Sequence, residues 1–248
     1  MVKLASEDIK TREVLDWEGL HVFHFPFSSC SQKLRIFLNF KGMEWESHLI
    51  DLMSNENLNE YFLGINPRGL LPTIVHDGNV HIESNDILTY LEKAFPDPKL
   101  IPDGSEGFVK EFLKHEDDLH LDLRALSFRF VFDPPHDPKS EEELEKYARV
   151  GSGTVEGKKD LRKGVEINFW KQIASDGITD EIAKSAAEKF HEVFTKIDET
   201  LEGNEYLLLN SFSILDIAWF IYANRLSLAG YPLERLHPNM YPWYKRLE

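Results

Sequence analysis

The chain has 248 residues, of which 42% are hydrophobic and 29% charged, a balance typical of folded soluble proteins with a sizeable core. Its formal net charge of -15 argues against a nucleic-acid-binding surface, which would need clustered Lys and Arg. The single cysteine, Cys30, excludes an intramolecular disulfide and a multi-thiolate metal site, and no metal is expected. The first twenty residues lack the apolar run of a secretory signal, and no stretch is long enough to span a membrane. We therefore expect a cytoplasmic protein without a membrane or nucleic-acid partner.

The first part of the chain alternates between strand and helix patterns. The predicted elements are strands at 21–25 and 45–50, helices at 31–41 and 57–63, a hairpin formed by 71–75 and 79–82, and a helix from Ser84 to about 94. The pair Asp77-Gly78 supplies the positive φ angles of the hairpin turn. The element order is therefore βαβα followed by ββα.

Three prolines within seven residues, Pro96, Pro98 and Pro102, interrupt regular structure and mark a domain boundary. Beyond them the pattern is helical, with long helices predicted at 107–132, 180–201 and 213–228 and a short one near the C-terminus. The stretch 133–160, between the first two of these helices, is expected to be exposed at its proline end and partly helical after it. The predicted organisation is an N-terminal extension (1–19), a first domain (20–96), a linker (97–104) and a helical domain (105–248).

The first motif with candidate catalytic residues is FPFSSCSQKLR, at the junction of the first strand and the first helix. A helix start offers unpaired backbone N–H groups and the positive end of the helix dipole, and both stabilise a thiolate. Ser28, Ser29 and Ser31 add hydroxyl donors there. Taken alone, one of these serines is more simply an N-cap.

Two further motifs follow, and each has a plain structural interpretation. The motif NPRGLLPTIV places Pro72 at the start of a strand. A cis Leu71–Pro72 bond would turn the backbone of Leu71 outward. Because most X–Pro bonds in folded proteins are trans, the sequence without further context favours a trans bond. Glu83 and Ser84 begin the next helix, where a hydroxyl and N–H groups can bind a carboxylate, or where the serine is only a cap. In the fourth motif, SFSILDIAW, Asp216 follows Ser213 by three residues as in a capping box, which indicates a role in folding.

In combination these motifs resemble the glutathione S-transferase superfamily, from His21 to about Leu247. The serine-serine-cysteine-serine motif is most similar to that of the zeta class, SFSILDIAW resembles the buried capping motif of the helical domain, and HPNMYPWYKRL resembles its closing helix. The resemblance implies a thioredoxin-like N-terminal domain with a mixed sheet, an all-helical C-terminal domain that forms the second-substrate site, and glutathione as the co-substrate. It also implies a homodimer, with a heterodimer with a paralogue as the alternative.

For the reacting sulfur, the resemblance assigns Ser28 to stabilise the glutathione thiolate, with Ser29 as the neighbour able to take over. A free thiol has a pKa of about 8.5, and a hydroxyl donor with a helix dipole can lower that by a unit or two. Cysteine-type classes carry their nucleophile at the position of Ser28. We interpret Cys30, two residues further on, as a packed or substrate-facing thiol, with a redox nucleophile as the alternative.

For the rest of the tripeptide, the resemblance assigns main-chain hydrogen bonds to Leu71, the geometry of that segment to Pro72, and the γ-glutamyl end to Glu83 and Ser84. The chain departs from the family at Leu70, where many relatives have Lys or Gln to reach the glycyl carboxylate. Two other side chains are candidates to replace that contact, namely Arg68 and His48.

The enlarged stretch 134–178 is similar to an enlargement in relatives of the ganglioside-induced differentiation-associated protein and in bacterial lignin β-etherases. Aromatic side chains near it are candidates to line a second-substrate site, although helical spacing favours a core role; they are Phe128, Phe130, Phe132 and Trp170. The leading hypothesis is a glutathione transferase acting on a small hydrophobic electrophile by conjugation, or by displacement at a halide or an aryl ether such as a lignin-derived β-aryl ether. Alternatives are a non-catalytic binding or dimerisation module, and a Cys30-dependent thiol transferase or isomerase.

Overall fold

A computed structural model describes residues 2–132, 139–209 and 211–248. By their contacts, the described residues form two compact units: 2–93 together with 139–177, and 94–132 together with the described residues from 178 onward. This division differs from the expected one, in which a helical domain begins at 105, because residues 139–177 pack with the first unit. The proline-rich start of the enlarged stretch, 133–138, lies outside the described residues.

The secondary structure within the described ranges consists of seven strands and eleven α-helices, together with three short 3-10 helices. The strands are β1 (Val2–Lys3), β2 (Leu20–His24), β3 (Glu46–Leu49), β4 (Thr73–His76), β5 (Asn79–Ile82), β6 (Thr154–Val155) and β7 (Lys158–Lys159). The helices are α1 (Ser29–Phe40), α2 (Glu60–Ile65), α3 (Ser84–Ala94), α4 (Glu106–Asp118), α5 (His120–Phe130), α6 (Glu141–Arg149), α7 (Arg162–Asp176), α8 (Asp180–Thr200), α9 (Ile214–Leu228), α10 (Leu233–Leu236) and α11 (Met240–Leu247).

The main sheet has the strand order β1-β5-β4-β2-β3, with β2 and β3 parallel and the other pairs antiparallel. The predicted thioredoxin-like fold with a mixed sheet is confirmed. The hairpin turn between β4 and β5 has positive φ angles at Asp77 (47°) and Gly78 (72°), as the Asp-Gly pair predicts.

The N-terminal extension is part of the first unit rather than an appendage. Strand β1 pairs with β5, with Val2 opposite Ile82. The segment that follows β1 buries Leu4, Ile9 and Val14 against the sheet. The sequence analysis missed this because two residues are too few to show a strand pattern.

The second unit is all-helical among its described residues, as expected, with one difference. The helix predicted from 107 to 132 is two helices, because the N–H of Leu119 bonds the carbonyl of Glu116 at 3.2 Å and so tightens the last turn of α4. Helices α8 and α9 lie within one residue of their predicted limits. Across the described ranges, no helix combines the length and the apolar character needed to cross a bilayer.

Candidate functional site

The sheet register brings the three predicted motifs to one edge of the sheet. Strand β2 runs antiparallel to β4, with Phe23 opposite Thr73, and β4 runs antiparallel to β5, with Ile74 opposite His81. The end of β2, the start of β4 and the end of β5 therefore lie side by side. The segments that leave this edge are the predicted ones, Ser28–Cys30 after β2, Leu71–Pro72 before β4 and Glu83–Ser84 after β5.

Ser28 is the N-cap of α1 and is half-buried. Its backbone is extended (φ -68°, ψ 121°), and its Oγ accepts a hydrogen bond from the N–H of Ser31 at 3.3 Å. This bond uses a lone pair of the hydroxyl and not its hydrogen, so Ser28 keeps the capacity to donate. Ser29 and Cys30 are the first two residues of α1, and both are also half-buried.

Arg35 supports the turn that carries Ser28, and the sequence analysis missed it. Its guanidinium lies 3.2 Å from the carbonyl of Phe25 and 3.1 Å from that of Pro26. It also lies 3.2 Å from Nδ1 of His24, whose pKa is lowered to about 4 by burial and then by the charges of Arg35 and His48. The sequence feature that could have identified Arg35 is the pair of basic residues that follows the serine motif. The positive charge of Arg35 is therefore held against the turn that precedes α1.

The Leu71–Pro72 peptide bond is cis, the geometry that the family resemblance requires. The side-chain amide of Asn66, which is 1% exposed, donates at 2.9 Å both to the carbonyl of Leu70 and to Oγ1 of Thr73. Asn66 therefore connects the two sides of the cis bond and holds this short loop in one shape. The prediction of a trans bond, made from the sequence without the family resemblance, is therefore wrong.

The residues just before the cis bond are held from both sides of the loop. Gly69 has φ +63°, and an added Cβ there would lie 3.0 Å from Leu63 and 3.1 Å from the carbonyl of Asn57. The hydroxyl of Tyr147, on α6, donates to the carbonyl of Arg68. The segment 139–177 therefore contacts the loop that precedes Pro72.

Arg68 is the centre of a half-buried ion network. Its guanidinium forms a bidentate pair with Asp160 (2.9 and 2.7 Å) and a third bond with Glu83 (2.5 Å). Burial lowers the pKa of Arg68, but the bonds from Asp160 and Glu83 outweigh it and raise the pKa above its ordinary value. Asp160 was not predicted, because it lies 92 residues from Arg68 and no local pattern marks it.

Glu83 sits in the left-handed region (φ 67°), immediately before Ser84, the first residue of α3. The carbonyl of Glu83 accepts the N–H of Ile87 at 2.9 Å, so Glu83 caps the helix through its backbone while its side chain reaches Arg68. The 1%-exposed Lys33 of α1 donates to Asn85 Oδ1 at 2.7 Å. The starts of α1 and α3 are thereby joined across the sheet edge.

His48 is engaged elsewhere. Its Nε2 lies 3.0 Å from Nδ1 of His21, and its ring stacks on Trp17 and Phe23, with ring centroids 4.9 and 4.7 Å away. Its neighbours lie toward the start of β2, where His21 pairs with Glu46, whereas Ser28 follows the end of that strand. These contacts hold the His48 ring against Trp17, His21 and Phe23, and the network above pairs Arg68 with two carboxylates.

The four candidate lining aromatics are divided between the two units. Trp170 is 6% exposed and packs in the first unit, with the ammonium of Lys139 4.5 Å from its ring centroid. Phe128 and Phe132 contact each other in the second unit, and Phe130 is 51% exposed. The core role that helical spacing favoured holds for Trp170.

Two family models match the chain: the N-terminal domain of glutathione S-transferases over residues 27–94 and their C-terminal domain over residues 160–246. Together they span more than half of the chain. The fold, the sheet-edge site and these matches define the class, and the chain belongs to the glutathione S-transferase family.

Within the family, the chain is similar to two differently named proteins. It is 26% identical to Protein LigF of Sphingobium sp. over 238 residues, 92% of this chain and 89% of that protein. The crystal structure of the β-etherase LigF superposes with a TM-score of 0.73 at 25% identity, covering 92% of this chain and 94% of that one. Glutathione S-transferase 1 of Dianthus caryophyllus is 39% identical, but over 85 residues, so the chain spans only 38% of that relative's length.

Proposed function

We propose that the protein is a glutathione transferase in which Ser28 stabilises the thiolate of bound glutathione for attack on a small hydrophobic electrophile. The observation that carries this proposal is the meeting of Ser28, the cis Leu71–Pro72 bond and Glu83–Ser84 at one sheet edge. Each motif alone has a structural explanation. Their convergence is what a single extended ligand requires.

At the sulfur, the proposal uses a hydroxyl donor, a helix start and a nearby cation. The O–H of Ser28 would donate to the thiolate while its lone pair continues to cap α1. The guanidinium of Arg35, fixed on the carbonyls just before Ser28, adds a favourable charge of the right sign. Together they favour the ionised over the neutral thiol and so raise the fraction of nucleophile at neutral pH.

At the cysteinyl part, the backbone of Leu71 is the proposed partner. An outward-turned N–H and carbonyl just ahead of a strand can form main-chain hydrogen bonds with an extended peptide that runs antiparallel to it. The bonds of Asn66 to Leu70 and Thr73 hold that backbone in place before ligand binds. Less ordering is then needed on binding.

At the γ-glutamyl end, Glu83 and Ser84 are the proposed contacts. The hydroxyl of Ser84 and the first N–H groups of α3 suit a carboxylate. The network of Arg68, Glu83 and Asp160 contains two carboxylates and one guanidinium, so it carries an excess negative charge that suits the ammonium group. Arg68 thus acts by positioning Glu83 rather than by binding the glycyl end.

For the second substrate we propose an aryl ether of the β-aryl type, because the full-length similarity to LigF, titled a β-etherase, covers both units. The thiolate would attack the carbon that bears the ether oxygen, forming a C–S bond as the C–O bond breaks. The aryloxide leaves with the bonding pair and takes a proton from water. We also propose a homodimer, as the family resemblance implies, and a cytoplasmic location, as the sequence analysis expects.

A non-catalytic glutathione-transferase fold, used as a binding or dimerisation module, is the second candidate. Leu70 cannot reach the glycyl carboxylate, and Arg68 is paired with Glu83 and Asp160, so the chain lacks the basic or amide side chain that many relatives place there. We expect such a module not to bind glutathione at millimolar concentration.

The deciding experiment measures binding and turnover on the same preparation. Calorimetry with glutathione tests the site, and thioether formation from an activated aryl halide and from a β-aryl ether tests the chemistry. Glutathione binding with turnover of either electrophile supports the transferase and contradicts the module. Absence of glutathione binding at millimolar concentration supports the module and contradicts the transferase. Binding without turnover of either electrophile contradicts the proposed substrates.

A further inference from the structure

A second polar cluster lies toward the start of β2 and β3, away from Ser28. The parallel register sets His21 beside Glu46 and Phe23 beside His48, so alternate residues of the two strands share one face. Nδ1 of His21 lies 3.0 Å from Nε2 of His48 and 3.4 Å from Oε2 of Glu46, and Nε2 of His48 lies 3.8 Å from Oε1 of Glu46. Among the described residues, these three alone bring together enough His, Cys, Asp or Glu donors to hold a metal ion.

We propose that His21, Glu46 and His48 form a binding site for a divalent transition-metal ion of the zinc type, with water as the fourth ligand. Zinc is tetrahedral with ligands at about 2.0–2.2 Å, which places neighbouring ligand atoms about 3.3–3.5 Å apart. The three distances in the structure, 3.0, 3.4 and 3.8 Å, bracket that value. Small turns of the rings and of one carboxylate suffice to equalise them.

The hydrogen bonds around His21 already select the tautomer that a metal needs. Its Nε2 lies 2.9 Å from the carbonyl of Glu18, which can only accept, so Nε2 carries the proton. Nδ1 of the neutral ring then has a lone pair directed at the cluster. A histidine that binds a metal through one nitrogen and donates to a carbonyl through the other is the usual second-shell arrangement.

His48 also directs a ring nitrogen at the cluster, since its Nε2 faces both Nδ1 of His21 and Oε1 of Glu46. In the metal-free protein Nε2 of His48 donates to Nδ1 of His21. On metal binding the His48 proton moves to its Nδ1, and the ion takes the position between the two rings.

The surroundings hold the rings and leave an entry path. The side chains of His21 and His48 are 11% and 24% exposed, whereas that of Glu46 is 66% exposed and opens the cluster to solvent. The Trp17 ring packs over both imidazoles, with centroid distances of 4.5 and 4.9 Å. Because Trp17 and Glu18 belong to the N-terminal extension, an ion here would fasten that segment to the sheet.

This site departs from the sequence-based expectation that no metal is bound. That expectation followed from the single cysteine and from the absence of closely spaced ligands. The three residues lie on two strands, 25 to 27 positions apart, and only the pairing of β2 with β3 brings them together. The site is independent of glutathione, so its test does not depend on the proposed transferase activity.

The test is a titration of the chelator-treated, glutathione-free protein with Co²⁺, whose visible absorption intensifies strongly in a four-coordinate site. We expect one equivalent bound with intensified absorption and with quenching of tryptophan fluorescence, and competition by Zn²⁺. The deciding variant is Glu46→Gln, because its exposed side chain can change without affecting packing; we expect at least about tenfold weaker binding. His48→Phe, which keeps a ring against Trp17, should abolish the intensified absorption.

The matched control is Glu44→Gln, which makes the same change of charge at an exposed position two residues away. It should bind Co²⁺ as the unaltered protein does. The proposal is overturned if the unaltered protein gives only the weak absorption of hydrated Co²⁺. It is equally overturned if Glu46→Gln binds as tightly as Glu44→Gln.

Discussion

Helices α1 and α9 both have a serine as N-cap, but the two helix starts differ in burial and in bonding. At α1, Ser28 is half-buried and its Oγ accepts a single bond, from Ser31 at 3.3 Å. At α9, Ser213 and Asp216 are 0% exposed. The carboxylate of Asp216 accepts four bonds of 2.8–3.0 Å, from the N–H of Leu207, the N–H and Oγ of Ser213, and the indole of Trp243.

The difference shows what separates a folding cap from a functional one. A carboxylate with every lone pair occupied in the dry interior has nothing to offer a ligand, and its removal leaves buried donors unpaired. A half-exposed hydroxyl with one lone pair used can still donate. Mutations at the two caps should therefore affect different properties: stability at α9, and activity at α1.

The largest expected effect is on stability, at α9. Replacing Asp216 by Ala leaves four donors around a buried cavity without an acceptor, and we expect a loss of about 4 kcal/mol or more in the free energy of unfolding. Urea denaturation followed by circular dichroism measures it. Ser213→Ala, which removes one of the four donors and keeps the carboxylate, should cost about 1–2 kcal/mol. Equal effects of the two variants would contradict the account of a saturated cap.

The next effect is on catalysis, at α1. Ser28→Ala removes the donor to the thiolate, a bond to a charged group worth about 1.5–3 kcal/mol, so kcat/KM at neutral pH should fall about 10- to 100-fold. Stability should fall by only about 1 kcal/mol through the lost cap. Steady-state kinetics with an activated aryl halide, beside urea denaturation, separate the two effects.

Two variants at α1 serve as controls, one that keeps the hydroxyl at position 28 and one that removes the neighbouring hydroxyl. Ser28→Thr retains both the cap and the donor and should recover most of the rate, whereas Ser29→Ala should leave it within about threefold. If Ser29→Ala removes the activity and Ser28→Ala does not, the roles of the two serines are exchanged.

A smaller effect should follow at the network of Arg68, which lies between the two caps in burial because its members are half-buried. Asp160→Asn keeps the shape of the side chain, weakens the bidentate bond and leaves Glu83 as the main partner of Arg68. We expect about 1–2 kcal/mol of destabilisation and a KM for glutathione raised about 3- to 10-fold. An unchanged KM would show that Arg68 does not position Glu83 for the ligand.

The smallest expected effect is that of Cys30→Ser. The side chain is half-buried in the first turn of α1 and is nearly isosteric with serine, so the transferase rate should change by less than about threefold. The assay is repeated with a mixed disulfide of glutathione as substrate. Loss of disulfide reduction in Cys30→Ser, with retention in Ser28→Ala, would favour the thiol transferase or isomerase alternative.

The sequence predicted what local patterns encode. Hydrophobic spacing located α8 and α9, the Asp-Gly pair located the β4–β5 turn, and the Ser213–Asp216 spacing identified the buried cap. The three sheet-edge motifs were found for the same reason, since each is contiguous.

Contacts between distant parts of the chain escaped prediction. Asp160 binds Arg68, which lies 92 positions earlier in the chain. The parallel pairing of β2 and β3 brings His21 into contact with His48, 27 positions later. Strand β1 has two residues, too few for a periodicity. These contacts depend on strand register and packing, which are properties of the assembled sheet and not of any short segment.

The account depends most on the ionisation of the glutathione sulfur at the start of α1. Its direct test is a titration of the thiolate absorbance of glutathione bound to the unaltered protein and to Ser28→Ala. We predict a pKa one to two units below the ordinary value of about 8.5 in the unaltered protein, and a return to within about half a unit of that value in the variant. A bound thiol that titrates near 8.5 in the unaltered protein, or a lowered pKa that survives the loss of Ser28, would contradict the assignment.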